Sequence, residues 1–242
     1  MPFKLESGDV LFKMKSERPN MIPKLISLYS PLPLWLHYPG KRDLTKSLYD
    51  IDPCDLTHVA FSMGSSGLVE YDESVGLSAI AGFNGSGLVC TDQPDSTTHG
   101  EKKYVVLRPI NKNLSEKAYR KTLSIVSCWD TLKTTSYGIR KVINTAIFHV
   151  RGASVDEKFI EETQSKLLDQ FDSRVRTNRA NFFCSEYIAF VYLWAALELY
   201  NNKCFGHPSS VFGTLKVRLT PAELFTRMLH HGQFTKIGYY EF

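Results

Sequence analysis

The segment "NFFCSEYIAFVYLWAAL" (residues 181–197) contains the most apolar run of the chain and one cysteine, Cys184, near its beginning. The apolar run from 187 to 197 is too short to span a bilayer, so it predicts a helix buried in a protein core. Cys184 would lie in the first turn of that helix. A cysteine in a helix interior is usually a small hydrophobic residue, whereas one in the first turn can be reactive.

The composition of the whole chain is typical of a globular protein. Of its 242 residues, 43% are hydrophobic and 22% are charged, and no shift in composition divides the sequence. We therefore predict a single domain over residues 1–242, with insertions near 16–56 and 82–101. The net charge of +4, from 29 Lys and Arg against 25 Asp and Glu, is too small to indicate a nucleic-acid partner.

The five cysteines lie at positions 54, 90, 128, 184 and 204. They show neither a C-x-x-C pair nor the Cys/His spacing of a zinc site, so the sequence predicts reduced thiols and neither a metal nor a cofactor. His230 and His231 are adjacent with no third ligand in view, and they are interpreted as exposed residues at a helix end. The N-terminus lacks the features of a signal peptide, which predicts synthesis in the cytoplasm without a leader.

Residue patterns predict strands in the first half of the chain and helices in the second. The predicted strands are 8–12, 57–63, 68–72 and 102–110, and the predicted helices are 114–132, 155–171, the Cys184 segment and a last one capped by Thr220. The 16–56 insertion is interpreted as irregular with one short helix near 21–29, and 82–103 as a loop. This order, with hairpin pairing, indicates an α+β fold in which an antiparallel sheet packs against helices.

The predicted hairpin carries a histidine. With a turn centred near Gly64, His58 lies opposite Glu70, at about 5 Å between their Cβ atoms, which is within reach of a side-chain hydrogen bond. Alternation places His58 on the face of the strand that is lined by small residues and leaves the other face apolar. Glu70 would then orient the imidazole, and Asp72 is a reserve candidate for that role.

Cys184 and His58 together suggest nucleophilic catalysis. The positive end of the helix dipole and the N–H groups of the first turn lower the pKa of a cysteine there and favour the thiolate. If the helix packs on the sheet face that carries His58, the imidazole can pair with the thiolate and later protonate a leaving amine, while Glu70 fixes its tautomer. The structural alternative is a hydrogen-bonding histidine and an inert buried cysteine, each of which is common.

Several short motifs resemble a known family. "GDVLF", "THVAF" and "LVEYD" resemble the strands of NlpC/p60 cysteine peptidases, and "FCSEYIAFVY" follows them instead of preceding them. That order is similar to the circularly permuted branch of this papain-like superfamily, as are "YVVLRP" and the "SYG" at 136–138. The resemblance implies a permuted papain-like fold with Cys184 as nucleophile, His58 as base and Glu70 as orienting residue. Tyr137 would be a second oxyanion donor or a substrate contact, or a buried structural tyrosine.

The resemblance also implies a reaction and a substrate. It suggests a cysteine amidase or endopeptidase that cleaves peptide bonds in the stem peptide of bacterial peptidoglycan. Since no leader is predicted, such an enzyme would be an antibacterial effector toxin, delivered by a type VI-like secretion system into the periplasm of a target cell. Its partners would then include a secretion carrier and an immunity protein.

Two alternatives stay open. The permuted branch also contains lecithin:retinol acyltransferase-like enzymes, so the chain could be a lipid acyl hydrolase or acyltransferase that works at a membrane. Residues 21–38, with Trp35 and Tyr38, would then form an interfacial loop, although a lid or packing insertion explains them equally well. The other alternative is a catalytically silent binding module that kept the fold.

Overall fold

The computed structural model describes residues 4–15, 40–64, 68–70, 89–91, 103–127 and 184–241. These residues form six strands and four helices. The strands are β1 (Ser7–Met14), β2 (Leu56–Met63), β3 (Leu68–Glu70), β4 (Val89–Thr91), β5 (Lys103–Pro109) and β6 (Phe234–Glu241). The helices are α1 (Lys41–Tyr49), α2 (Lys112–Ser127), α3 (Cys184–Asn201) and α4 (Pro221–His230), with short 3₁₀ turns at Pro53–Asp55 and Pro208–Val211.

The strands form one sheet in the order β4-β3-β2-β1-β5-β6. Each neighbouring pair is antiparallel. The prediction of an α+β fold with an antiparallel sheet packed against helices is therefore confirmed. Three of the predicted strands correspond to β1, β2 and β5, and the fourth begins where β3 begins.

The two faces of the sheet belong to different apolar clusters. Alternate residues of β1 divide between them: Val10 and Phe12 join the main core together with the helices, whereas Leu11 joins a smaller cluster on the opposite face. In β2, Phe61 belongs to the main core and Ala60 to the smaller cluster. Both sides of the central strands are consequently buried.

Helix α3 is the central element of the main core. It is buried from Cys184 to Leu197, as expected of a helix that is apolar on all sides. The Tyr192 ring packs edge-on against Phe234 at 5.1 Å between ring centroids, and its hydroxyl donates to the carbonyl oxygen of Gly8. The prediction that the apolar run forms a buried helix is confirmed.

Helix α1 and strands β4 and β6 form where the sequence predicted irregular structure or none. Helix α1 lies in the 16–56 insertion, and Thr45 is its one buried residue. Its sequence is mostly polar, so it lacks the run of apolar residues that marks a core helix. Two of its leucines, Leu44 and Leu48, are 42% and 61% exposed. Strand β4 lies in the predicted 82–103 loop, which corrects that prediction. The predicted helices near 21–29 and over 155–171 lie outside the described residues.

The hairpin register differs from the prediction. Glu70 pairs with Ala60, and the pairs before it join position 69 to 61 and position 68 to 62. The turn is therefore centred one residue later than predicted. Gly64, which follows β2 directly, adopts a left-handed conformation with φ of 67°. Glu70 is thus two positions away from the place directly opposite His58.

Candidate active site

Cys184 is the first residue of α3, as the sequence predicted. Its side chain is buried, with 1% of the residue exposed. The N-terminal turn of a helix carries N–H groups without intrahelical partners and the positive end of the dipole, and both stabilise a thiolate. Cys184 therefore has the backbone environment that a nucleophilic thiol requires.

The first turn of α3 is attached to the segment that precedes α4. The Ser185 hydroxyl donates to the carbonyl oxygen of Leu219 at 2.6 Å, and Arg218 Nε donates to Glu186 Oε1 at 3.3 Å. Directly after them, Thr220 Oγ1 accepts from the N–H of Glu223 at 3.2 Å and caps α4. The thiol is thus held by a fixed turn, and the predicted cap is confirmed.

His58 lies in the first half of β2, paired with Lys13 of β1, and is 7% exposed. The next pair in the ladder joins Met14 to Leu56, so Thr57 is an extra residue in β2. Such a bulge bends a strand and changes the direction of the side chains around it. His58 is therefore located directly beside an interruption of the sheet.

The apolar clusters indicate which face of β2 is covered by α3, and whether it is the face that carries His58. Helix α3 belongs to the same core as Val59 and Phe61, and by alternation His58 lies on the other side of β2 with Ala60. Along residues 59–63 the helix therefore packs on the side opposite to the one that the catalytic hypothesis requires. The alternation is broken only at the bulge, since Leu56 joins the main core although it precedes Val59 by three positions.

Of the other predicted site residues, the structure describes Glu70 but not Asp72 or Tyr137. The pairing of position 70 with Ala60 places Glu70 two residues from the position opposite His58, so the direct cross-strand pair between them is not formed. Asp72 is the position that the same register would bring opposite His58, and it lies outside the described residues. Tyr137 lies outside them as well, so its proposed role stays a prediction.

Sequence analysis did not assign a role to the aspartate of "GDVLF". Asp9 is completely buried and accepts two hydrogen bonds from Arg108, from Nε and Nη2, each 2.7 Å long. It also accepts from the N–H of Glu6 at 2.8 Å. Hydrogen bonding to Asp9 raises the pKa of Arg108. The signal was present in the sequence, since "GDVLF" and "YVVLRP" were both singled out and their charged residues form this pair.

Cys54 is not a second candidate nucleophile. Its burial, together with a hydrogen bond to Asp52, raises the pKa of its thiol to about 12. Cys204 is exposed and its Sγ donates to the carbonyl oxygen of Asn202. No functional site is proposed at Cys90 or Cys128, so Cys184 remains the candidate nucleophile.

Of the two histidines at the end of α4, His231 is exposed as interpreted, whereas His230 is not. His230 is half-buried, and its Nε2 lies 2.9 Å from Thr45 Oγ1 of α1. Burial lowers the pKa of His230 and of His231, and positive neighbours lower both further. Within the described ranges, no three His, Cys, Asp or Glu residues are grouped so that they could hold a metal ion.

Comparisons of the chain with models of protein families, with curated proteins and with solved structures found no match. The likeness to the permuted NlpC/p60 branch therefore depends on the short motifs quoted above. Of the helices in the described part of the chain, none has the length and apolar character needed to cross a membrane.

Proposed function

We propose that this protein is a cysteine hydrolase, an amidase or endopeptidase with a permuted NlpC/p60-like fold, in which Cys184 is the nucleophile and His58 the base. The observation that carries the proposal is the position of Cys184 at the start of α3, which packs on β2, the strand of His58. Glu70 or Asp72 is the proposed orienting carboxylate. No cofactor enters the reaction.

The proposed reaction has two steps. The Cys184 thiolate attacks the carbonyl carbon of an amide, the imidazolium of His58 gives its proton to the leaving amine, and a thioester forms. Water, deprotonated by the neutral imidazole, then attacks the thioester, and the thiolate is released with a free carboxylate. The backbone N–H of Cys184 is the proposed first donor to the oxyanion in both steps.

The proposed substrate is the stem peptide of bacterial peptidoglycan. This choice depends on the resemblance of "GDVLF", "THVAF" and "FCSEYIAFVY" to the permuted NlpC/p60 branch. An effector exported to the periplasm of a target cell, with a secretion carrier and an immunity protein as partners, is the biological setting that follows from it.

A second candidate is supported by the faces of β2. Helix α3 packs on the side of Val59 and Phe61, and alternation sets His58 on the side of Ala60. If the bulge at Thr57 does not redirect His58 towards Cys184, the chain is a binding module with an inert buried thiol. An experimental distance of about 3 to 4 Å between Cys184 Sγ and a ring nitrogen of His58 would favour the enzyme.

The decisive experiment measures alkylation of Cys184 by iodoacetamide near neutral pH. We expect rapid modification of the wild-type chain and about tenfold slower modification of a folded His58→Ala variant, because the thiolate loses its cationic partner. Cys204→Ser is the matched control, since it removes an exposed thiol. Equal rates in wild type and His58→Ala would contradict the dyad.

Substrate assays then separate the enzyme classes. Release of stem-peptide fragments from purified peptidoglycan, lost in Cys184→Ser, would support the amidase. Release of fatty acid from phospholipid vesicles would instead favour the lipid hydrolase. A folded chain that acts on neither substrate and whose Cys184 resists alkylation would leave the binding module as the function.

A further inference from the structure

The first turn of α3 contains a buried carboxylate as well as the candidate nucleophile. Glu186 follows Cys184 by two residues and is only 3% exposed. A carboxylate buried near a thiol disfavours the thiolate, because the two negative charges repel each other in a medium of low polarity. An active nucleophile at Cys184 therefore requires that the charge of Glu186 be compensated.

Arg218 is placed to provide that compensation. Its Nε lies 3.3 Å from Glu186 Oε1, and its side chain is 48% exposed, so the cation keeps much of its hydration while it pairs with the buried anion. The neighbouring contact between Ser185 and Leu219 fixes the backbone of the segment against the helix. Consecutive residues of the helix thus meet consecutive residues of the segment.

We propose that Arg218 is a positioning residue for Cys184, which neutralises the Glu186 carboxylate and so keeps the thiolate favoured in the first turn of α3. The inference rests on the proposed function only for the identity of the reactive thiol. It assigns a role to Glu186, the glutamate of "FCSEYIAFVY", namely to hold Arg218 and the first turn in place.

Several charged groups on the other elements that pack against α3 pair with residues other than Glu186. Lys117 and Lys121 of α2 hold Glu198 near the far end of α3. On α4, Glu223 pairs with Arg227 at 2.9 Å. The same elements also carry Glu116 paired with Arg120 on α2, Lys112 and Tyr119 on α2, His58 on β2 and His230 on α4. His207 lies before the 3₁₀ turn, and its Nδ1 is 2.7 Å from Ser209 Oγ. Arg218 pairs with Glu186 within the first turn of α3, so its removal should act on that turn.

The test measures the rate of alkylation of Cys184 by iodoacetamide against pH in the full chain, read by mass spectrometry of the peptide that contains it. In Arg218→Gln we expect the midpoint of the profile to rise by about one pH unit, which is about tenfold slower modification at neutral pH. Glu186→Gln should lower the midpoint or leave it unchanged. The double variant should return to within about 0.3 units of wild type, because both charges are gone.

Two further variants separate electrostatics from a structural effect. Arg218→Lys keeps the charge and should keep the midpoint, even if the protein is less stable. Lys216→Gln removes a cation two residues earlier in the same segment and should shift the midpoint much less than Arg218→Gln. A purely structural Arg218 would change the unfolding midpoint of the protein but not the pH midpoint of the thiol.

The outcomes are distinct from those of the hydrolase assays, because alkylation needs no substrate. A shifted profile without turnover on any substrate would support the role of Arg218 and contradict the hydrolase. Superimposable profiles of wild type and Arg218→Gln would overturn the inference. So would a folded wild-type chain in which Cys184 is not alkylated at any pH.

Discussion

At the scale of single residues, Gly8 cannot be exchanged without strain. Its φ of 90° is left-handed, and a Cβ at this position would lie 2.2 Å from Ser115 Oγ and 3.2 Å from the Ser115 carbonyl oxygen. Ser115 Oγ itself donates to the carbonyl oxygen of Ser7 at 2.7 Å and so is not free to turn away. We expect Gly8→Ala to lower the free energy of unfolding by about 2 to 4 kcal/mol, measured by urea denaturation.

Gly232 provides the matched control for Gly8. It also has a positive φ, 70°, but a Cβ there would meet no atom within 4 Å. Gly232→Ala should therefore cost only the backbone strain, about 1 kcal/mol. Equal losses in the two variants would show that the close approach of Ser115 does not contribute.

At the scale of secondary-structure elements, the pair formed by Asp9 and Arg108 joins β1 to β5. Asp9 is fully buried, so a variant that cannot accept two charged hydrogen bonds leaves Arg108 without its main partner. We expect Asp9→Asn to lower the free energy of unfolding by about 3 kcal/mol, measured by chemical denaturation. Glu6→Gln should cost less than about 0.5 kcal/mol, because that side chain is exposed. An equal loss of unfolding free energy in Glu6→Gln would show that the exposed pair of Glu6 and Arg108 provides the stabilisation instead.

The elements that the sequence predicted well are those whose signals are local. The start of α3 at Cys184 and the cap of α4 at Thr220 follow from a few adjacent residues, and both are confirmed. Strand β6 was not predicted. Its pairing with β5 shifts register between Val106 and Leu107, and Ile237 has no partner in the ladder there. Such a shift removes the period-two alternation by which a strand is recognised.

At the scale of the whole molecule, the candidate site also combines features that local sequence predicts with one that it does not. Cys184 could be placed at a helix start from its own segment, and the strand of His58 from its alternation. The face of β2 that α3 covers depends on packing between segments more than a hundred residues apart. The local sequence of neither segment determines this face. Along residues 59–63 α3 packs on the other face of β2, so the condition set for a pair of Cys184 and His58 is not met there.

The stability of the whole molecule should depend on pH through groups at the contact between α1 and the rest of the fold. Burial and positive neighbours lower the pKa of His230 and His231 below 6.5, so the folded state favours their neutral forms. Their contribution to stability is complete above the unfolded pKa of about 6.5 and is lost as the pH falls through the lowered values. Burial opposes ionisation of Asp52, but hydrogen bonds from Arg42 and from the N–H of Cys54 lower its pKa to about 2.

We therefore expect the unfolding temperature to fall in two stages on acidification. The first stage begins below about pH 6.5, where the two histidines become protonated. The second lies between about pH 4 and pH 2, where Asp52 becomes protonated. The double variant His230→Gln and His231→Gln should lack the first stage and keep the second, whereas Asp52→Asn should do the reverse. Thermal unfolding followed by circular dichroism from about pH 8 to pH 3 measures the first stage fully and the start of the second. Parallel curves for wild type and the double histidine variant above about pH 5 would contradict the role of the histidines, because only their titration separates the two proteins in that range.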